Sequence, residues 1–145
     1  MSFLVVDGHS VIYQIPGLLQ IHQRKPAQAR ELLTRQLSQL HDTSHWRITL
    51  VFDGKTGPPS KVEPGKMHVI YSQTNQTADS VIERLVQSAP DSSLVTVVTA
   101  DQAERLTVES FGATVWHPAQ LEIEMDTVDR DWQHTLKQIN RDAKW

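Results

Sequence analysis

Five acidic residues stand where a sheet of parallel strands would bring them together. Asp7 follows the apolar run Phe3-Leu4-Val5-Val6, Asp53 follows Leu50-Val51-Phe52, and Asp101 follows Leu94 to Thr99 and Ala100. Each run reads as a buried strand, and ligands of open α/β sheets bind beyond the C-terminal ends of such strands. Asp79 opens a helix behind the N-cap candidate Thr77, and Glu83 lies four residues on, along the same helical face. Two carboxylates about 5 Å apart repel by roughly 3 kcal/mol at an effective dielectric near 20. Several in one crevice cannot all stay ionised without a cation. A hard divalent ion such as Mg²⁺ or Mn²⁺ takes oxygen ligands and reverses the sign of the local field. An acidic pit can then accept a phosphodiester, and metal-dependent hydrolysis is the chemistry this pattern points to. Each acid taken singly is also an ordinary turn or helix-start residue.

The elements needed to position these acids are legible in outline. Pro26 opens a helix in which Ala29, Leu32, Leu33, Leu37 and Leu40 recur at helical spacing, ending near His41-Asp42-Thr43. Pro16-Gly17 interrupts the apolar Val11-Ile12-Tyr13. The stretch from Lys55 to Lys66 holds Gly57-Pro58-Pro59 and Pro64-Gly65 and is neither helix nor central strand. Met67 to Tyr71 is a short strand, and Val81, Ile82, Leu85 and Val86 mark a helix after Thr77. A further helix runs from Asp101 to Phe111, stopped by Gly112. Ala113 to Trp116 is the last strand. Pro118 opens a final helix striped by Leu121, Met125, Val128, Trp132, Leu136 and Ile139, whose distal half packs on the domain or meets a partner helix. Strands alternate with helices, so the fold is α/β, with a mostly parallel sheet and helices on both faces.

Composition narrows the alternatives. The 145 residues suit one domain, and 39% hydrophobic with 21% charged residues is the balance of a globular chain. With no cysteine there is no disulfide, thiolate metal site or cysteine nucleophile. A net charge of −3 argues against a chain held on nucleic acid by bulk positive charge, though not against an enzyme that engages it at a metal-filled acidic site. No apolar run approaches the length of a membrane span, and Asp7 follows the first strand too soon for a signal peptide, so a cytoplasmic, membrane-free protein is expected. Lys55, Lys61 and Lys66 flank the loop after Asp53 and could steer phosphates; His9, beside Asp7, could contact substrate; Arg24, Lys25 and Arg30 are weaker candidates. His41 and His45 lack a zinc-site context, Ser10 lacks the elbow of a hydrolase nucleophile, and no glycine-rich nucleotide loop is present. Tyr13, Tyr71 and Trp116 are too sparse in sequence to outline a base-stacking platform.

Several segments resemble the NYN domains of the PIN-like nuclease superfamily. Val5-Val6-Asp7-Gly8-His9-Ser10-Val11-Ile12 is similar to their opening motif, and Val51-Phe52-Asp53-Gly54 to the second. Gln76-Thr77-Ala78-Asp79-Ser80-Val81-Ile82-Glu83 resembles the Thr-Ala-Asp-x-x-Ile-Glu segment of the YacP-like branch. Val97-Val98-Thr99-Ala100-Asp101 and Phe111-Gly112-Ala113 continue the likeness, which runs to about Glu124. The resemblance implies a three-layer PIN-like domain over residues 1–124, followed by a C-terminal amphipathic helix over 125–145. It implies an endoribonuclease using Mg²⁺ or Mn²⁺, with Asp7, Asp79 and Asp101 as metal ligands and Asp53 and Glu83 in support. Ser10 stands where the family usually carries Asn, so a catalytically impaired RNA- or ribosome-binding module is the alternative. The branch includes a ribosome-associated enzyme acting on mRNA, so RNA, and mRNA at the ribosome, are the implied partners. A homodimer through the C-terminal helix is a further expectation. A phosphoacceptor receiver domain fits less well, because the chain has one Asp rather than an acidic pair at its start.

Overall fold

A computed structural model describes residues 2–54 and 65–142. Five strands form one sheet: β1 (Ser2–Asp7), β2 (Trp46–Phe52), β3 (His68–Tyr71), β4 (Val95–Val98) and β5 (Thr114–Trp116). Every pairing is parallel and the order is β3-β2-β1-β4-β5. The chain winds outward from β1 to one edge and then returns to build the other. The reversal of strand order therefore falls between β1 and β4, where such sheets open a crevice at their C-terminal ends.

Alternating strand residues feed two separate cores, as the period of a strand requires. Leu4, Val6, Ile48, Leu50, Phe52 and Val98 face helices α1 (Gly8–Gln14), α2 (Pro16–Arg24), α3 (Pro26–Thr43) and the start of α6 (Pro118–Asp142). Val5, Val51, Val95 and Val97 face α4 (Ala78–Ser88) and α5 (Gln102–Ser110). This is the three-layer α/β sandwich with helices on both faces.

The segment from Gly8 to Arg24 differs from its sequence reading. Val11 and Ile12 belong to helix α1, and Pro16 begins α2 at its first turn rather than merely ending an apolar run. Gly8 permits the tight exit from β1, because a Cβ there would collide with the Phe52 ring. Helix α6 is continuous from Pro118, so it crosses the expected boundary at residue 125. Leu121 is buried and Met125 and Val128 pack against the larger core, whereas Trp132, Leu136 and Ile139 are exposed. Trp46 Nε1 donates to Glu124 Oε1 at 3.2 Å and fastens this helix to the start of β2. Among the described residues no helix is long and apolar enough to cross a membrane.

Candidate active site

The crevice at the β1/β4 reversal contains a group of three carboxylates. One oxygen each from Asp7, Asp79 and Glu104 lies within 4.8 Å of the others. Asp7 is the last residue of β1 and only 6% exposed. It is also the N-cap of α1, accepting from Ser10 N through Oδ1 at 3.4 Å, and its Oδ2 accepts from Ser10 Oγ at 3.1 Å. Asp79 lies half-buried in the first turn of α4, which starts at this end of the sheet because the chain leaves β3 there. Glu104 stands in the first turn of α5 and is 2% exposed.

Thr99, directly after β4, ties two of the three together. Its hydroxyl lies 2.8 Å from Glu104 Oε2, 3.4 Å from Asp7 Oδ2 and 3.3 Å from Ser10 Oγ, and it accepts from Asp101 N at 3.1 Å. The other oxygen of Glu104, Oε1, is buried and has no hydrogen-bond partner. Burial, and next the charge of Asp7, push the Glu104 carboxyl from 4.5 up to about 9. Burial likewise raises Asp79, opposed by a hydrogen bond from the protonated Glu104 and reinforced by repulsion from Asp7, Asp101 and Asp53. Without a cation the pit therefore holds a proton on Glu104 at neutral pH. An all-oxygen set with one free buried acceptor and a surplus of negative charge fits Mg²⁺ or Mn²⁺.

The expected site residues divide. Asp7 and Asp79 are in the group, and Ser10 is hydrogen-bonded to it. The third member is Glu104, not Asp101. The Asp101 carboxylate is exposed and caps α5 instead, its Oδ1 accepting from Ala103 N at 2.9 Å and Glu104 N at 3.2 Å. Asp53 is exposed at the rim, where its Oδ1 accepts from the buried Ser72 hydroxyl at 2.8 Å. Glu83 is half-buried one turn along α4 from Asp79 and outside the group. His9 reaches the rim, with Nε2 3.0 Å from the Asp53 carbonyl oxygen. Lys55 and Lys61 lie outside the described residues. Lys66 precedes β3 beside Phe3 and Arg47, at the N-terminal end of the strands and so across the sheet from the pit. A parallel β2–β3 pair forces this, because the connection must carry the chain back to the opposite edge.

Glu104 escaped the sequence reading because Asp101-Gln102-Ala103-Glu104 has the spacing of a capping box, in which the Glu is a surface residue turned back on its own cap. The one hint was Thr99: a polar β-branched residue ending an apolar strand requires a partner once buried.

Residues 4–145 match the family model of the YacP-like NYN domain. The YacP protein of Bacillus subtilis (strain 168) is 27% identical over 142 residues, spanning 96% of this chain and 84% of the relative. The crystal structure of Rae1 (YacP) from Bacillus subtilis is similar to this chain with a TM-score of 0.82 at 25% identity, covering 98% of this chain and 83% of that one. A Trp-to-Leu mutant of the same protein gives a TM-score of 0.83 at 24% identity, over 99% and 85% of the two chains.

Proposed function

The chain belongs to the YacP-like NYN domain family, and from that premise we propose that it is a divalent-metal-dependent endoribonuclease. The observation that carries the reading is the meeting of Asp7, Asp79 and Glu104 in one pit at the strand-order reversal, with a buried Glu104 oxygen lacking a partner. The three carboxylates would hold Mg²⁺ or Mn²⁺. Bound there, the ion supplies a Lewis acid that neutralises phosphate charge and makes water a better nucleophile at neutral pH.

The protein's own contribution is positional. Asp7 is fixed at both ends, by β1 and by its cap on α1, so its oxygens have little freedom to rotate away. The Thr99 hydroxyl holds Glu104 by one oxygen and leaves the other turned into the pit. Ser10 holds Asp7 with one short hydroxyl, in the position where the family usually has the longer Asn. Asp53 stands at the rim, where its charge adds to the field that draws the cation in. We assign RNA in the cytoplasm as the substrate, with mRNA engaged by the ribosome as its setting.

The test is cleavage of RNA and single-stranded DNA in Mg²⁺, Mn²⁺ and EDTA. Internal cuts in RNA that require the metal and fall sharply in Asp7→Asn and Glu104→Gln are expected. Metal-independent cutting, or none of either polymer with either ion, overturns the proposal. Co-sedimentation with ribosomes tests the setting separately.

A further inference from the structure

Apart from the carboxylates, a row of rings leads away from His9 at the rim of the pit. His9 lies two residues after Asp7 on α1, and its ring is edge-on to the buried Phe52 at 6.0 Å between centroids. Tyr13 is one turn further along the same helix and stacks with His9 at 6.3 Å and 25°. His22, on α2, meets the Tyr13 ring edge-on at 5.1 Å, and His22 Nε2 is hydrogen-bonded to the Tyr13 hydroxyl at 3.2 Å. Tyr13 is nevertheless 52% exposed. It is held by His9 on one side and by His22 on another while part of its surface faces solvent, an unusual expense for a large ring with no role in the core. The row then meets the end of α2, where Arg24 and Lys25 are exposed.

We propose that Tyr13, flanked by His9 and His22, is a stacking platform for the bases of single-stranded RNA that enters the carboxylate pit. This rests on the ribonuclease reading above. Aromatic rings take any base by its π-face, and single strands offer those faces where duplexes do not. Tyr13 lies six residues beyond Asp7, about 9 Å along a helix axis. Arg24 and Lys25 would meet phosphates beyond it, giving an acidic protein a local basic exit for its polyanion. Two helices hold the rings, so the platform exists before substrate arrives.

The experiment is fluorescence anisotropy of a labelled single-stranded 12-mer RNA on the full chain in EDTA, which reads binding without cleavage. Variants are Tyr13→Ala, Tyr13→Leu and Tyr13→Trp, with a duplex RNA of the same length as the second probe. Tyr13→Ala and Tyr13→Leu are expected to weaken single-strand binding about 5- to 100-fold, while Tyr13→Trp binds at least as well as the parent. Duplex binding should not change. In the cleavage assay Tyr13→Ala should raise KM more than it lowers kcat. Equal single-strand affinity in the Ala variant overturns the platform, as does equal loss on duplex RNA, or a parent chain that binds no single strand. If the parent cleaves RNA and Tyr13→Ala leaves KM unchanged, the platform fails and the ribonuclease stands. Tyr13-dependent binding by a chain that cuts nothing in any metal has the opposite meaning.

Discussion

Asp7 and Asp101 perform the same local task at neighbouring strand ends. Each is a helix N-cap in extended conformation, Asp7 accepting one backbone N–H and Asp101 two from the helix it starts. Each lies at or just beyond the end of its strand, β1 ending in valine and the acid itself and β4 in two valines. They differ in where they stand relative to the sheet. Asp7 is the final residue of β1 and remains in the ladder with β2. Asp101 comes three residues after Val98, which pairs with Val6, so the place beside Asp7 is taken by Thr99. The two extra residues carry Asp101 out to solvent, and its helix brings Glu104 inward to fill the gap. A strand-end acid is therefore a ligand candidate only when register, and not merely sequence order, leaves it over the crevice.

The strongest way to break this comparison is to neutralise both acids in turn. Asp7→Asn and Glu104→Gln should each lower metal-dependent RNA cleavage by roughly 10²–10³-fold. Asp101→Asn should change it by about threefold at most, because Asn caps a helix as well as Asp does. A collapse of activity in Asp101→Asn alone would reverse the assignment.

Thermal unfolding against pH sharpens the same contrast. Glu104 titrates near 4.5 when unfolded and near 9 when folded, so between those values the native state holds a proton that the unfolded state releases. Stability of the metal-free protein should fall as pH rises through that window, this group contributing at most about 1.4 kcal/mol per pH unit. Glu104→Gln should flatten the decline and Asp101→Asn should not. Added Mn²⁺ should raise Tm, and more so at pH 8 than at pH 6, since binding must displace the Glu104 proton. Gly8→Ala should cost about 1–3 kcal/mol in chemical denaturation, because the new methyl group meets Phe52 directly below Asp7. The smallest effect belongs to Asp101→Ala, about 1 kcal/mol of lost capping with the pit intact.

Much of this fold was legible because its strands are short apolar runs and its helices carry Leu or Val at helical spacing. Leu33, Leu37 and Leu40 are buried as their spacing required, and Val95 to Val98 form the strand their β-branching suggested. The turn from β1 into two consecutive helices was not legible, because α1 is seven residues long and too brief to show a period. Within the site, Asp7 and Asp79 could be named from strand ends and a helix start. Glu104 could not, since its burial depends on α5 lying against β4 and on a threonine hydroxyl to receive it. The row of rings was equally hidden: His9 and Tyr13 are one turn apart only once that segment is known to be helical, and His22 joins them from another helix.

The contact between the Thr99 hydroxyl and Asp7 Oδ2, at 3.4 Å, spans 92 positions of the chain. No early fragment can make it, because β1 and β4 are neighbours in the sheet but most of the domain lies between them in order of synthesis. A chain emerging from its own translation thus carries Asp7 as an isolated acid for most of its elongation. The three-carboxylate pit is therefore completed only in the closing stages of folding, and an unfinished copy lacks it.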